Sequence, residues 1–163
     1  MNITDGSLVW RTHVDVNQIM LYHNFTSAEF NSPPAASPVY IDTENQIVYW
    51  SFAVSQFGVD DLSGNDQYIG ELGSLDLSIG EIIWTKQFIN NGSITRGLTG
   101  TPLLGLASLK NTIFLTTNKH LWTFNKSTSN VTDIKIFDHY ILPPVKTESK
   151  VFIAADLFLF AYE

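Results

Sequence analysis

The chain has 163 residues, of which 44% are hydrophobic, 13% aromatic and 15% charged, with a formal net charge of −7 and no cysteine. This length and apolar content suit one core-forming domain and exclude a disordered tail. The acidic balance without a basic cluster excludes nucleic acid and anionic membrane surfaces as expected partners. The missing thiols exclude disulfides, thiolate catalysis, zinc–thiolate sites and iron–sulfur clusters. No apolar run approaches the roughly 20 residues of a membrane helix, so we expect no membrane insertion, and the first residues predict no signal peptide.

Short segments rich in β-branched and aromatic residues, separated by turn residues, predict an all-β protein built from hairpins. No segment sustains an apolar period of 3.6, and residues 14–23 fit a helical turn or a strand equally well. Residues 24–38 and 58–67 are predicted loops. In chain order the predicted strands are 39–41, 46–54, 81–88, 112–117, 120–124, 151–154 and 157–162.

A repeated unit decides the predicted fold. Residues 74–84 form a strand, a tight turn and a second strand that ends in Trp84, and residues 2–10 repeat the Gly-x-x-x-Trp spacing with Gly6 and Trp10. Residues 123–133 keep the length of this unit without its Gly and Trp. Residues 160–163 are the opening of the same unit. Matching hairpins upstream give a period of about 40 to 50 residues with four short strands, which is typical of a β-propeller blade.

The segment from Ser74 to Trp84 resembles the repeat of the PQQ-like, quinoprotein-type β-propellers, whose blade motif is Ala-x-Asp-x-x-x-Gly-x-x-x-Trp. Ser74 stands at the Ala position, and Asp76, Gly80 and Trp84 match the other three. The residue types suggest a role for each: a small residue for close sheet approach, a carboxylate accepting turn amides, and a glycine with positive φ. The resemblance implies that Trp84 and Trp10 dock between adjacent blades.

The blade boundaries divide one propeller segment, residues 1–163, into pieces. Residues 1–12 are the last strand of one blade, 36–88 and 99–137 are full blades, and 141–163 are three strands of a blade that 1–12, or an equivalent strand, completes. Three blades are too few to close a ring, which normally takes about four to eight. The chain is therefore a piece of a longer propeller, half of a six-bladed dimer, or a subunit that pairs head to tail through strand complementation.

Catalytic and metal-binding patterns are weak. The histidines show no metal-ligand spacing, the acidic loop lacks the alternating order that wraps calcium, and no nucleophile elbow or phosphate loop is present. We therefore expect no catalytic residue, no metal and no cofactor. The family resemblance leaves a fragment of a quinone-dependent dehydrogenase as an alternative, although the paired cysteines of those enzymes are absent. The residues weighed here are His13, His23, His120 and His139, and Asp60, Asp61, Asn65 and Asp66.

Glycosylation acceptors are more frequent than chance. Five Asn-x-Ser/Thr sequons occur where about two are expected, and all fall in predicted turns or loops, where a glycan must lie. Two of them occupy the turn position that Asp76 holds in the complete repeat, so a glycan-bearing Asn is expected to replace the carboxylate there. The alternative is an Asn-rich composition in polar turns. The candidates are Asn2, Asn24, Asn91, Asn125 and Asn130.

These patterns together predict a non-catalytic β-propeller scaffold of an extracellular or luminal glycoprotein. Its expected partners are proteins, either copies of itself or the remaining blades of a longer chain, together with N-linked glycans. The alternatives are the dehydrogenase fragment and a luminal sensor or chaperone-like domain that binds an extended peptide on a sheet edge.

Overall fold

The computed structural model describes residues 8–13, 35–36, 39–56, 67–90, 105–117, 119–139 and 141–163. Within these ranges the protein is all-β, with no helix. The strands are β1 Ala35–Ala36, β2 Tyr40–Asp42, β3 Ile47–Gln56, β4 Gln67–Asp76, β5 Ile82–Asn90, β6 Gly105–Leu109, β7 Thr112–Thr117, β8 His120–Asn125, β9 Val131–Ile136, β10 Val145–Lys146, β11 Val151–Ala155 and β12 Phe158–Tyr162.

The strands form three antiparallel sheets, each from consecutive segments of the chain. The first sheet has the order β3-β4-β5, with β1 and β2 both paired to the outer edge of β3. The second sheet is β6-β7-β8-β9, and the third is β10-β11-β12. If β1 and β2, which both pair with β3, are counted as one interrupted strand, the first two sheets are four-stranded units and the third is a three-stranded unit. This architecture confirms the predicted all-β class and is consistent with part of a propeller.

Alternation along the strands places apolar residues on both faces of the first two sheets. The second sheet lies between the first and the third, whereas the first sheet has the second on one face and the segment around Trp10 on the other. One cluster joins the first sheet to the second, and another joins the second to the third. The first cluster contains Tyr49, Leu72, Ile113, Leu115, Trp122 and Phe124. The second contains Ala107, Leu109, Phe114, Leu121, Phe137, Ile141, Val151, Ile153 and Ala155.

Three edge strands, β2, β6 and β10, one from each sheet, converge. The Tyr40 hydroxyl on β2 donates to the Ser108 carbonyl on β6 at 3.2 Å, and Lys146 Nζ on β10 donates to the same hydroxyl at 2.6 Å. The three sheets are therefore tied together along these edge strands, as well as by the apolar clusters between their faces.

The first and second sheets repeat each other in register and in irregularity. Val48 pairs with Leu75, and Ile113 pairs with Phe124, at equivalent positions. A register shift follows Ser74 in the first sheet and Thr123 in the second, immediately before each outer hairpin turn. The first two sheets are therefore more alike in structure than in sequence, since the second unit lacks the Gly and Trp of the motif.

The predicted strands lie where the structure has strands, with ends moved by one or two residues at most places. The structure adds β6 and β9, short pairings at β1 and β10, and β4, of which the repeat had predicted only the end at residues 74–76. Gln67 begins β4 and does not belong to the predicted loop. Residues 14–23 and most of the two predicted loops lie outside the described ranges.

Candidate interaction surface

The outer turn of the first sheet is fixed by the carboxylate of Asp76. Its Oδ1 accepts the backbone N–H of Ser78 at 2.8 Å and that of Ile79 at 3.2 Å, which is an Asx-type turn. The turn closes through the Gly80 N–H, which donates to the Asp76 carbonyl at 2.9 Å, and Gly80 has φ 73°. Hydrogen bonds from Ser78 hold the pKa of Asp76 below its ordinary value.

The outer turn of the second sheet has the same geometry with an amide in place of the carboxylate. Asn125 Oδ1 accepts the N–H groups of Ser127 at 2.9 Å and Thr128 at 3.0 Å. The Ser129 N–H donates to the Asn125 carbonyl at 2.9 Å, and Ser129 takes φ 55° at the position of Gly80. A neutral acceptor therefore builds this turn as the carboxylate does.

The two motif tryptophans lie at different boundaries. Trp84 on β5 packs against the cluster between the first and second sheets, with its ring centroid 6.2 Å from that of Tyr49. Trp10 lies on the other face of the first sheet, beside Trp50 and Leu75. Its indole N–H donates to the Leu77 carbonyl at 2.9 Å.

The segment around Trp10 rests on the turn of the first sheet. The Trp10 ring lies against Gly80 so closely that a Cβ there would meet ring atoms at 2.5 Å, and the Thr12 hydroxyl donates to the Gly80 carbonyl. Residues 8–13 are not paired as a strand. Their pairing with the third sheet, as the fourth strand of its blade, stays a prediction.

Three leucines at equivalent positions differ in their surroundings. Leu72 pairs with Ser51, Leu121 with Thr116, and Leu159 with Ala154. Each leucine stands three residues before an equivalent apolar pair: Leu75 with Val48, Phe124 with Ile113, and Tyr162 with Val151. Leu72 is 0% and Leu121 1% exposed, because the next sheet covers each of them, whereas Leu159 is 69% exposed. Among the residues that the structure describes, no sheet covers this face of the third sheet, which the other two sheets bury.

This face is the candidate interaction surface, and we call it the open face: Phe152, Ala154, Leu159 and Ala161. Leu142 and Leu157 are also exposed beside it, and Phe158 is exposed on the opposite face of β12. A groove of about 530 Å³ runs between this apolar patch and His139. Within the described chain β12 has a strand partner, β11, on one side only, so the backbone edge beside the open face is unpaired as well.

Polar anchors hold the third sheet at one end of the groove. Asp156 accepts the backbone N–H of His139 at 2.6 Å and that of Asp138 at 3.2 Å, and its Oδ1 lies 3.0 Å from His139 Nδ1. Burial alone would raise the pKa of Asp156, but the hydrogen bonds from His139 and Asp138 outweigh it, so the pKa is lowered. Asp156 and Leu157 both take positive φ in the hairpin turn, which leaves the Leu157 side chain fully in solvent.

A buried ion pair ties the first sheet to the second. Lys126 Nζ lies 2.8 Å from Asp42 Oδ2, and their side chains are only 14% and 8% exposed. Burial alone would raise the pKa of Asp42, but the bonds from Lys126 and Asn45 outweigh it and the pKa is lowered. Beneath the pair, burial raises the pKa of Tyr49 to about 12.

The remaining predicted residues are scattered. Ser74 is fully buried at the sheet boundary, as a small residue there requires, and Asn130 is exposed in the second outer turn. His120 is buried against Trp122, and burial lowers its pKa. No group of three metal-ligating side chains occurs in the described ranges. Outside them lie Asn2, Gly6, His23, Asn24, Asp60, Asp61, Asn65, Asp66 and Asn91.

The sequence analysis did not single out Leu159 as a candidate surface residue. The signal was available, since aligning residues 72–75, 121–124 and 159–162 places Leu first in all three segments. The alignment becomes informative only once exposure separates the third leucine from the other two.

No protein-family model and no curated protein matches the chain. The part of the chain that the structure describes contains no helix long and apolar enough to cross a bilayer.

Proposed function

We propose that this protein is a non-catalytic scaffold module of the β-propeller type, which binds other protein through the open face of its third sheet. The observation that carries the proposal is the exposure of Leu159 at a position whose counterparts, Leu72 and Leu121, are buried by a neighbouring sheet. A face built like two existing interfaces and left uncovered has the chemistry of a third interface.

The grouping of exposed apolar residues supports a contact role for the open face. A buried leucine contributes about 1.5 to 3 kcal/mol relative to an exposed one. Exposed apolar residues cluster at the open face and its rim, whereas the outer strand of the second sheet carries exposed polar residues between its apolar ones. Apolar side chains grouped on one exposed face are a feature of protein contact sites.

The proposal places the protein in the secretory lumen or outside the cell as a glycoprotein. Two sequons, at Asn125 and Asn130, lie in the outer turn of the second sheet, away from the open face. Asn125 Oδ1 accepts the N–H groups of Ser127 and Thr128, which fixes the turn. The amide nitrogen, where a glycan is attached, takes no part in these two hydrogen bonds. A glycan there is compatible with the fold and leaves the third sheet free for contact. The PQQ-like repeat remains part of this proposal as a resemblance.

Photo-crosslinking in cells tests the contact role. The photoreactive amino acid p-benzoylphenylalanine is placed at position 159 and, as a matched control, at position 136, where Ile136 is 73% exposed on β9. We expect adducts with mass-identified proteins at 159 and none at 136. Equal or absent adducts at the two positions contradict the proposal.

Secretory expression tests the glycan assignment. The chain is routed through the secretory pathway of a eukaryotic host, and its mass is measured before and after enzymatic removal of N-glycans. We expect a mass loss that falls stepwise in Ser127→Ala and Thr132→Ala, which each destroy one sequon. An unchanged mass in the parent chain contradicts the glycoprotein assignment.

A further inference from the structure

We infer that the open face and free edge of the third sheet receive the segment Leu8–His13 of a second copy of this chain. This segment would add a fourth strand beside β12 and turn two chains into a head-to-tail pair. The inference rests on the proposed function and names the partner for the same surface.

The third sheet lacks the fourth strand that the other two sheets have, within the described chain. The first sheet ends in β5 and the second in β9, each paired with the third strand of its sheet. In the third sheet the equivalent edge of β12 is unpaired within the described chain, although β12 keeps the register of β4 and β8 with its own neighbour. An unpaired edge beside an apolar face is a template for an added strand.

The segment around Trp10 resembles the fourth strand of the first sheet. Residues 7–12, Ser-Leu-Val-Trp-Arg-Thr, match residues 81–86, Glu-Ile-Ile-Trp-Thr-Lys, in the placement of two apolar residues before Trp. Leu8 is 72% and Val9 56% exposed, so this segment also has uncovered apolar surface. Its backbone is not engaged in a strand ladder.

The same chain does not supply this strand. Trp10 holds its segment on the first sheet through the Leu77 carbonyl, and the second sheet lies between the first sheet and the third. Trp84 packs in the same direction, from the fourth strand of one sheet toward the next sheet. A second copy therefore supplies the strand while its Trp10 stays on its own first sheet.

The match of residues 7–12 to 81–86, and of β12 to β4, also predicts the register between the two copies. Trp84 pairs with Ser74, and Lys86 pairs with Leu72. The corresponding pairs between copies are Trp10 with Ala161 and Thr12 with Leu159. The contact is heterologous, so it generates either a closed ring of copies or a growing chain, and both raise the mass with concentration.

Two experiments on the full chain test the inference. In sedimentation velocity we expect the average mass to rise with concentration, with association at least about tenfold weaker in Leu159→Arg and unchanged in Ile136→Arg. Both positions are exposed, so both variants should fold, which circular dichroism checks.

The native chain has no cysteine, so single-cysteine variants report the register directly. Mixed under mild oxidation, Thr12→Cys and Leu159→Cys chains should form a disulfide-linked heterodimer. Thr12→Cys with Leu157→Cys should not, although Leu157 is the more exposed position. A chain that stays monomeric at every concentration, or equal cross-linking of both mixtures, overturns the inference. If position 159 then still cross-links to other proteins in cells, the proposed function stands and only the second copy is excluded.

Discussion

The second and third sheets are built on the same pattern but stand in different surroundings. Phe114 and Leu121 on the second sheet are covered by the third, whereas Phe152 is half-buried and Leu159 exposed at the matching positions. The residue type is the same at the leucine position, so exposure here reflects the missing neighbour and not the local sequence. A repeat unit therefore carries the residues of an interface whether or not another sheet packs against it.

Truncating the two leucines gives the largest expected contrast. Leu121→Ala should lower the free energy of unfolding by about 2 to 5 kcal/mol, because it opens a cavity between sheets. Leu159→Ala should change it by less than about 0.5 kcal/mol in dilute, monomeric protein. Urea denaturation measures both, and equal losses would show that the third sheet is covered in solution.

The outer turns sharpen the comparison of the first two sheets. Gly80→Ala should cost about 2 kcal/mol, because alanine is strained at φ 73° and its Cβ meets the Trp10 ring. Ser129→Gly at the equivalent position should be neutral or slightly stabilising, since it relieves a positive φ. The same denaturation series measures this pair, and a loss in both variants would contradict the equivalence of the turns.

The ion pair between the first and second sheets predicts a pH dependence. The pKa of Asp42 is lower in the folded chain than its ordinary value of 3.8, so its stabilisation is present at neutral pH and is lost as the pH falls through that region. Asp42→Asn should cost about 1 to 2 kcal/mol at pH 7 and much less in acid. Glu163→Gln, which removes the exposed pair with Lys150, is the control and should cause no measurable loss. Parallel acid curves for Asp42→Asn and the parent chain would count against this role.

Exchanging the turn-fixing groups gives the smallest expected effect. Asp76→Asn should leave the melting temperature nearly unchanged, because Asn125 makes the same two bonds in the second sheet. Asp76→Ala should lower it, since the N–H groups of Ser78 and Ile79 lose their acceptor. A drop in Asp76→Asn as large as in Asp76→Ala would mean that the negative charge, and not the acceptor geometry, holds the turn.

The sequence predicted elements whose information is local. The Asx turn at Asp76, the positive φ at Gly80 and the strands around Val48 and Ile113 follow from residue type and alternation. β9 was harder to predict, because its side chains are all exposed and no apolar alternation marks it. The ion pair of Asp42 with Lys126 joins residues 84 positions apart, and no local pattern indicates it.

By itself, the sequence determined the all-β class, the repeat and its turns, because periodicity and turn chemistry act over a few residues. The tertiary structure decided which repeated residues are covered, since Leu72, Leu121 and Leu159 occupy the same position in the repeat but differ in whether another sheet lies against them. Burial depends on what packs from outside the segment, and a residue's near neighbours in the chain do not encode it.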